Sequence, residues 1–256
     1  MNAKQVAVVA SITLLTGGLM SCKPSATKAE ANSKRSPQSP PPVHEKVAPA
    51  PVEVPSAPGK VRLNIALPRP QFVGTPPDIR SPNLEPARGG KPRPAIEVPA
   101  GTDQVLSKDC KVTSSDPEPI IGELAFITDG DKEHDAGTYV EIGPGTQWVQ
   151  LDLGQEREIR AVCVWHYHGE PRVYRDVVCQ ISNDPDFIDG VVTVFNNDHD
   201  NSSALGAGKE FGYIETNEGR PVAVNGVKGR YVRFYSKGNT SNEMNHYTEV
   251  EVYGRP

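Results

Sequence analysis

The chain has 256 residues, of which 36% are hydrophobic and 25 are proline, and its formal net charge at pH 7 is −5. Charge divides along it: residues 23–100 hold 12 Lys and Arg against 6 Asp and Glu, net +6, whereas residues 101–256 hold 14 against 26, net −12. An acidic outer part of this kind excludes nucleic acid as a partner, because phosphates demand a positive face, and it argues equally against sulfated or uronic glycans.

Residues 1–22 carry the parts of an export signal. Lys4 supplies a positive start, residues 6–15 form a short, mostly apolar run, and Leu19-Met-Ser-Cys22 closes it. The run is broken by Gly17 and Gly18 and is too short for a span, which takes roughly 20 apolar residues. The closing tetrapeptide resembles the lipobox of bacterial lipoproteins, from which it departs at Met20, where a small residue is usual. The resemblance implies that residues 1–21 are removed and that Cys22 is lipidated. The module beyond would then be anchored to a membrane of the cell envelope, on its extracytoplasmic side. Several acyl chains at about 0.8 kcal/mol per buried methylene give a stable anchor. The plainer alternative is a secretory signal with an incidental cysteine.

Residues 22–100 change character, with 18 of the 25 prolines between positions 23 and 100. Proline fixes φ and removes a backbone donor, so this stretch is predicted to be a disordered, semi-rigid proline-rich tether. Its second half is less uniform. Val61-Arg-Leu-Asn-Ile-Ala-Leu67 alternates apolar and polar, and residues 60–100 are expected to lie partly along the surface of the domain that follows.

From residue 101 to 256 the apolar period is two rather than 3.6. Glu158-Ile-Arg-Ala-Val-Cys-Val-Trp-His166 is expected to place Ile159, Ala161, Cys163 and Trp165 on one face and Val162 and Val164 on the other, as in a central sandwich strand. Further strands are predicted at 174–181, 191–195, 212–215, 231–235 and 247–253, separated by Gly, Asn and Asp turns. This pattern predicts an all-β sandwich or jelly roll. With Cys22 lipidated, Cys110, Cys163 and Cys179 remain, and Cys163 and Cys179 are either buried free thiols or one cross-strand bridge.

Seven phrases occur in a telling order: Lys111-Val-Thr-Ser-Ser115, Thr128-Asp-Gly-Asp131, Trp148-Val-Gln-Leu-Asp-Leu-Gly154, Ile159-Arg-Ala-Val162, Val177-Val-Cys-Gln-Ile-Ser-Asn-Asp184, Arg230-Tyr-Val-Arg-Phe234 and Glu249-Val-Glu-Val-Tyr-Gly254. Together they resemble the discoidin domain, also called the coagulation-factor C-type or galactose-binding-like domain, over residues 106–254. The resemblance implies an eight-stranded jelly-roll sandwich with binding loops at one end. Prokaryotic members are often carbohydrate-binding modules, so it further implies a glycan ligand. It also implies a structural calcium held by Asp129, Asp131 and Glu249, with Thr138, a set of hard oxygens that suits that ion.

The densest polar and aromatic run is Trp165-His-Tyr-His-Gly-Glu-Pro-Arg-Val-Tyr-Arg175. Neutral sugars need aromatic faces for their C–H surfaces and forked donors for vicinal hydroxyls. His166, Tyr167, His168, Arg172, Tyr174 and Arg175 supply those types, with Asn245 and His246 approaching from a neighbouring loop. After Asp-Gly-Asp the relatives usually show a threonine and a tryptophan, so the stacking aromatic here would be Tyr139. The bland reading makes Trp165 a core residue and one of Arg172 and Arg175 a partner for a carboxylate.

Two alternatives stand beside glycan binding. One is a protein–protein adhesion module that contacts another envelope protein. The other is a metal-dependent enzyme that uses His166 and His168, which point the same way on a strand, with Asp198-His-Asp200 and His246 completing a site. No Gly-x-Ser-x-Gly elbow, phosphate loop or His-Glu-x-x-His motif occurs, so the chain reads as non-catalytic.

Overall fold

A computed structural model describes residues 59–72, 78–102 and 104–255. The signal, Cys22 and the first part of the predicted tether lie outside the described residues. Eleven strands follow in order: β1 (Lys60–Arg62), β2 (Glu97–Pro99), β3 (Gln104–Val105), β4 (Lys111–Ser114), β5 (Val140–Ile142), β6 (Gln147–Trp165), β7 (Val178–Ser182), β8 (Val192–Asn196), β9 (Arg220–Ser236), β10 (Asn245–Tyr247) and β11 (Glu249–Arg255). One 3₁₀ turn, Leu124–Thr128, interrupts them. Among the described residues no helix is long and apolar enough to cross a membrane.

The chain folds as the expected all-β jelly-roll sandwich, and two long strands make it. The first half of β6 pairs antiparallel with the second half of β9, Val149 opposite Phe234. Its second half pairs with the first half of β9, Val162 opposite Val222. Register is lost between Asp152 and Arg157, where Gly154 takes φ 79°. Strand β4 and the β7–β8 pair extend the first half, and β11 and β3 extend the second. Leu151 and Val232 from one half share a single buried cluster with Val162, Val164 and Val252 from the other. The sheet therefore folds back on itself and closes a two-layered core, which is how a sheet hides both of its apolar faces.

One expectation is reversed within β6. Register shifts again between Ile159 and Ala161, and that bulge rotates Ile159 onto the same side as Val162 and Val164 in the main core. Ala161, Cys163 and Trp165 face the other way, into a second cluster with Leu63, Val98 and Tyr253. An extra residue on one strand flips every side chain beyond it, so simple alternation misassigns the residue before a bulge.

Residues 59–72 and 78–102 build that second cluster. Strands β1 and β2 form an antiparallel pair, Val61 opposite Val98, that lays Leu63 and Val98 over Trp165 and Cys163. Further along, the carboxylate of Glu85 takes Arg93 at 2.9 Å and Arg220 of β9 at 3.2 Å. Arg220 lies over the rings of both Phe195 and Tyr213, 5.0 Å from each centroid. Proline leaves this segment little helix or interior sheet to form, so it packs as a strap of side chains and ion pairs.

Among the described residues Cys110, Cys163 and Cys179 are free thiols. Cys179 belongs to the main core and Cys163 to the cluster beneath the strap; facing opposite sides of the sandwich wall, they do not bridge. Burial pushes both thiols well above their ordinary range.

Candidate functional site

The connections after β6, before β7 and between β9 and β11 meet at one end of the sandwich. Thr248 N donates to Trp165 O at 2.8 Å, Arg175 N to Gly238 O at 3.0 Å, and Thr240 N to Val173 O at 3.0 Å. Gly219 is required where the next loop passes under Trp165. It sits at φ 58°, and a Cβ there would meet the indole at 2.8 Å.

Trp165 is a core residue, wholly buried, with its indole N–H donating to Asn217 O at 3.0 Å. His166 is equally buried. Its Nδ1 pairs with Glu215 Oε2 at 2.9 Å, and its ring stacks on Tyr174 with centroids 4.3 Å apart. His168, also buried, hydrogen-bonds through Nε2 to Lys132 O at 2.8 Å. Asn245 is spent on backbone: Nδ2 donates to the carbonyls of Gly143 and Gly145, and Oδ1 accepts from Gly238 N. These four side chains are scaffold.

What reaches the surface above them is smaller. Tyr139 and Tyr167 are partly exposed, with ring centroids 4.9 Å apart and planes inclined at 58°. The Arg172 guanidinium lies 4.8 Å over the Tyr167 ring and donates to Glu170 at 2.8 Å. His246 closes the floor, 5.9 Å from Tyr139 and 6.1 Å from Tyr167, held through Nε2 by Glu141 at 2.8 Å. The result is two inclined aromatic faces with a forked donor on one edge. Arg175 points elsewhere and pairs with Glu243 at 3.3 Å.

Burial lowers the pKa of both His168 and His246, against the raising effects of Lys132 O and Glu141 respectively. Both rings are therefore neutral in the fold at pH values where the unfolded chain, with an ordinary histidine pKa near 6.5, has begun to take up protons. Stability from this source is complete above about pH 6.5 and is lost as pH falls through the lowered values. Glu249, whose carboxyl burial raises to about 9, takes up its proton only in the fold and so gains stability as pH falls through the same window. The histidine part is therefore read by difference: from pH 7.5 to 5.5 the chemical-denaturation midpoint of the parent is expected to fall relative to that of His246→Gln, and a constant difference would contradict neutral burial of His246.

Of the residues named for calcium, the structure brings the turn at Asp129 against Glu249, whereas the carboxylates of Asp129, Asp131 and Glu249 do not group within 4.8 Å of one another. Gly130 N donates to Glu249 Oε2 at 3.0 Å, while Asp129 and Asp131 each accept the amide two residues on, at 2.8 and 2.9 Å. Glu249 is 1% exposed, and burial, reinforced by Glu251 and Asp129, pushes its carboxyl up to about 9. A buried carboxylate facing a turn of carbonyl and carboxylate oxygens is a donor set that fits a hard cation. Thr138 Oγ1 donates to the carbonyls of Glu133 and Asp135. The Lys108 ammonium bonds to the Asp129 carbonyl, an oxygen such an ion would use.

Sequence reasoning missed the carboxylates that position the site, Glu215 and Glu141. A signal for the first was present. Alternation puts Glu215 on the same inward face as Tyr213, and both are buried, so a basic partner was required. Among the described residues, the grouping of three metal-type ligands within 4.8 Å is Asp176, Asp198 and Asp200, not the histidines.

No family model matches the chain, and no curated protein matches it. Among solved structures it is similar to the CBM32 of AlyQ in complex with 4,5-unsaturated mannuronic acid, at 22% identity over 57% of this chain and 95% of that one, TM-score 0.43. It is also similar to chitosan-binding module 1 from the chitosanase/glucanase of Paenibacillus sp. IK-5, at 19% identity over 59% and 99%, TM-score 0.44. A pectin-binding carbohydrate-binding module follows at 19% identity over 57% and 91%, TM-score 0.41.

Proposed function

We propose that this chain is a non-catalytic envelope lipoprotein, anchored through Cys22, whose β-sandwich binds an extracytoplasmic glycan of neutral sugars. The observation that carries the reading is the Arg172 guanidinium stacked 4.8 Å over Tyr167 beside the inclined Tyr139 ring. Aromatic faces take the C–H surface of a pyranose, and a guanidinium fixes a hydroxyl pair. The buried His166, Tyr174 and His246 beneath hold those groups in place, and a preorganised site loses little ordering entropy on binding. The acidic surroundings favour an uncharged ligand.

A glycan array of neutral oligosaccharides, probed with the full chain, tests this. Binding is expected, and Arg172→Ala or Tyr167→Ala should weaken it by tenfold or more at an unchanged melting temperature. A blank array would turn the assignment towards an envelope protein partner. Incorporation of labelled palmitate, lost in Cys22→Ser, is the matching test of the anchor.

Calcium at Asp129, Asp131, Thr138 and Glu249 belongs to the same reading as a structural ion. The buried Glu249 carboxylate supports it, because a divalent cation would replace the proton that burial forces on that group. Millimolar calcium is expected to raise the melting temperature by several degrees and chelator to reverse this, with Glu249→Gln insensitive to both. A melting temperature that ignores calcium would leave the Lys108 ammonium as the turn's only cation.

A further inference from the structure

Beside the Tyr139–Tyr167 face, Arg172 is held by an acid. Glu170 Oε2 accepts from Arg172 Nη2 at 2.8 Å. The two partners are unequal. The Arg172 side chain is 11% exposed, its guanidinium lies 4.8 Å over the Tyr167 ring, and its Nε is enclosed and has no partner among the described residues. The Glu170 side chain is 62% exposed and, among the described residues, bonds only to Arg172. The guanidinium is therefore fixed by its surroundings, and the carboxylate reaches it from solvent. An exposed pair of this kind contributes little to stability, so its consequence lies in the site rather than in the fold.

That consequence is electrostatic. A guanidinium takes carboxylates in short, charge-assisted contacts. Left unpaired beside an aromatic face, Arg172 would draw a sugar acid as well as a neutral sugar. The Glu170 oxygen occupies the place that a ligand carboxylate would take. Other acids stand close by: Glu141 lies beneath, bonded to His246, and Asp78 of the strap lines the same groove as Glu170. A uronic ligand thus has to displace Glu170 and do so among like charges. A neutral sugar does not, because one hydroxyl can donate to the carboxylate while its neighbour accepts from the guanidinium.

Space is available for the exchange. Glu170 lines an open groove of about 510 Å³ with Pro171, Thr240 and Ser241, and the strap closes it with Asp78 and Arg80. Grooves of this volume take small ligands. With Glu170 neutral, Arg80 and Arg172 would be the cations flanking it.

We infer that Glu170 is the specificity-determining residue of this face: by holding Arg172 it excludes sugars that carry a carboxylate, and its loss opens the face to uronic acids. The inference rests on the glycan reading for the site, yet its test needs no neutral ligand. The probes are D-galacturonic acid and its trimer, titrated into the full chain and followed by calorimetry and amide NMR. Glu170→Gln keeps the shape, removes the charge and is expected to melt with the parent. It should bind the trimer at least about tenfold more tightly than the parent, as a hydrogen bond to a charged group implies, with an affinity that falls as salt rises. Adding Arg172→Ala to that variant should abolish the gain. Glu156→Gln, the same change of charge in the turn between the two halves of β6, should produce none. The inference is overturned if Glu170→Gln gains nothing, if the parent binds the trimer as tightly, or if the gain survives Arg172→Ala or appears in Glu156→Gln. A gain in Glu170→Gln beside a parent that binds no neutral sugar would retire the neutral-glycan reading and leave this inference standing.

Discussion

Deleting residues 59–102 is expected to lower the melting temperature by about 10 to 20 °C, or to leave the sandwich insoluble. Leu63 and Val98 cover the face formed by Ala161, Cys163, Trp165 and Tyr253. Burying each such side chain contributes roughly 1.5–3 kcal/mol. The deletion also takes Glu85 from Arg220, a guanidinium whose side chain is 21% exposed and packed on Phe195 and Tyr213. Some 5 kcal/mol in total, at about 2–4 °C per kcal/mol for a chain of this size, gives the stated range. Thermal melts of the full and shortened chains check it, and Val98→Asp should reproduce part of the loss in the full chain. A shortened protein melting within about 3 °C of the full one would reduce the strap to decoration.

His166→Ala is the single substitution with the largest expected cost. It strands the Glu215 carboxylate, wholly buried and held by His166 Nδ1 at 2.9 Å. Removing one partner of a buried pair costs about 3–5 kcal/mol, whereas replacing both by apolar groups of similar volume is often neutral. The double variant His166→Phe with Glu215→Leu is therefore expected to recover most of what the single variant loses, as measured by urea denaturation. Loss in the double variant equal to the sum of the singles would mean that the pair does not act as a unit. This outcome bears on function as well. A histidine paired with Glu215 and stacked on Tyr174 then acts as a support for the surface aromatics above it.

Parts of this molecule were legible before any coordinates. Alternation in Trp148–Leu153 and Tyr231–Tyr235 marks inward-facing Val149, Leu151, Val232 and Phe234, and all four are buried. The aromatic and basic run after β6 lies at one end of the sandwich, where Tyr139 stands against Tyr167. The roles inside that run were not legible. His166, His168 and Tyr174 have residue types that suit sugar contacts, yet they are buried beneath Tyr139 and Tyr167, because a loop tip and the strand end that supports it draw on the same amino acids.

The strap shows the same division. Its proline content rules out helix, and the alternation of Val61 to Leu67 hints at contact with a surface. That Leu63 and Val98 would cover Trp165, and that Glu85 would reach Arg220, 135 residues away, is not written locally.

The amino-acid order by itself determined the period-two strands, the glycine-permitted turns between them and the acidic charge of the module, because each depends on residues close along the chain. Tertiary structure alone decided which carboxylates His166 and His246 meet, on which side of the bulge Ile159 falls, and that a proline-rich segment covers Trp165. Those outcomes follow from the pairing of distant strands, and side-chain electrostatics and packing act across space rather than along sequence.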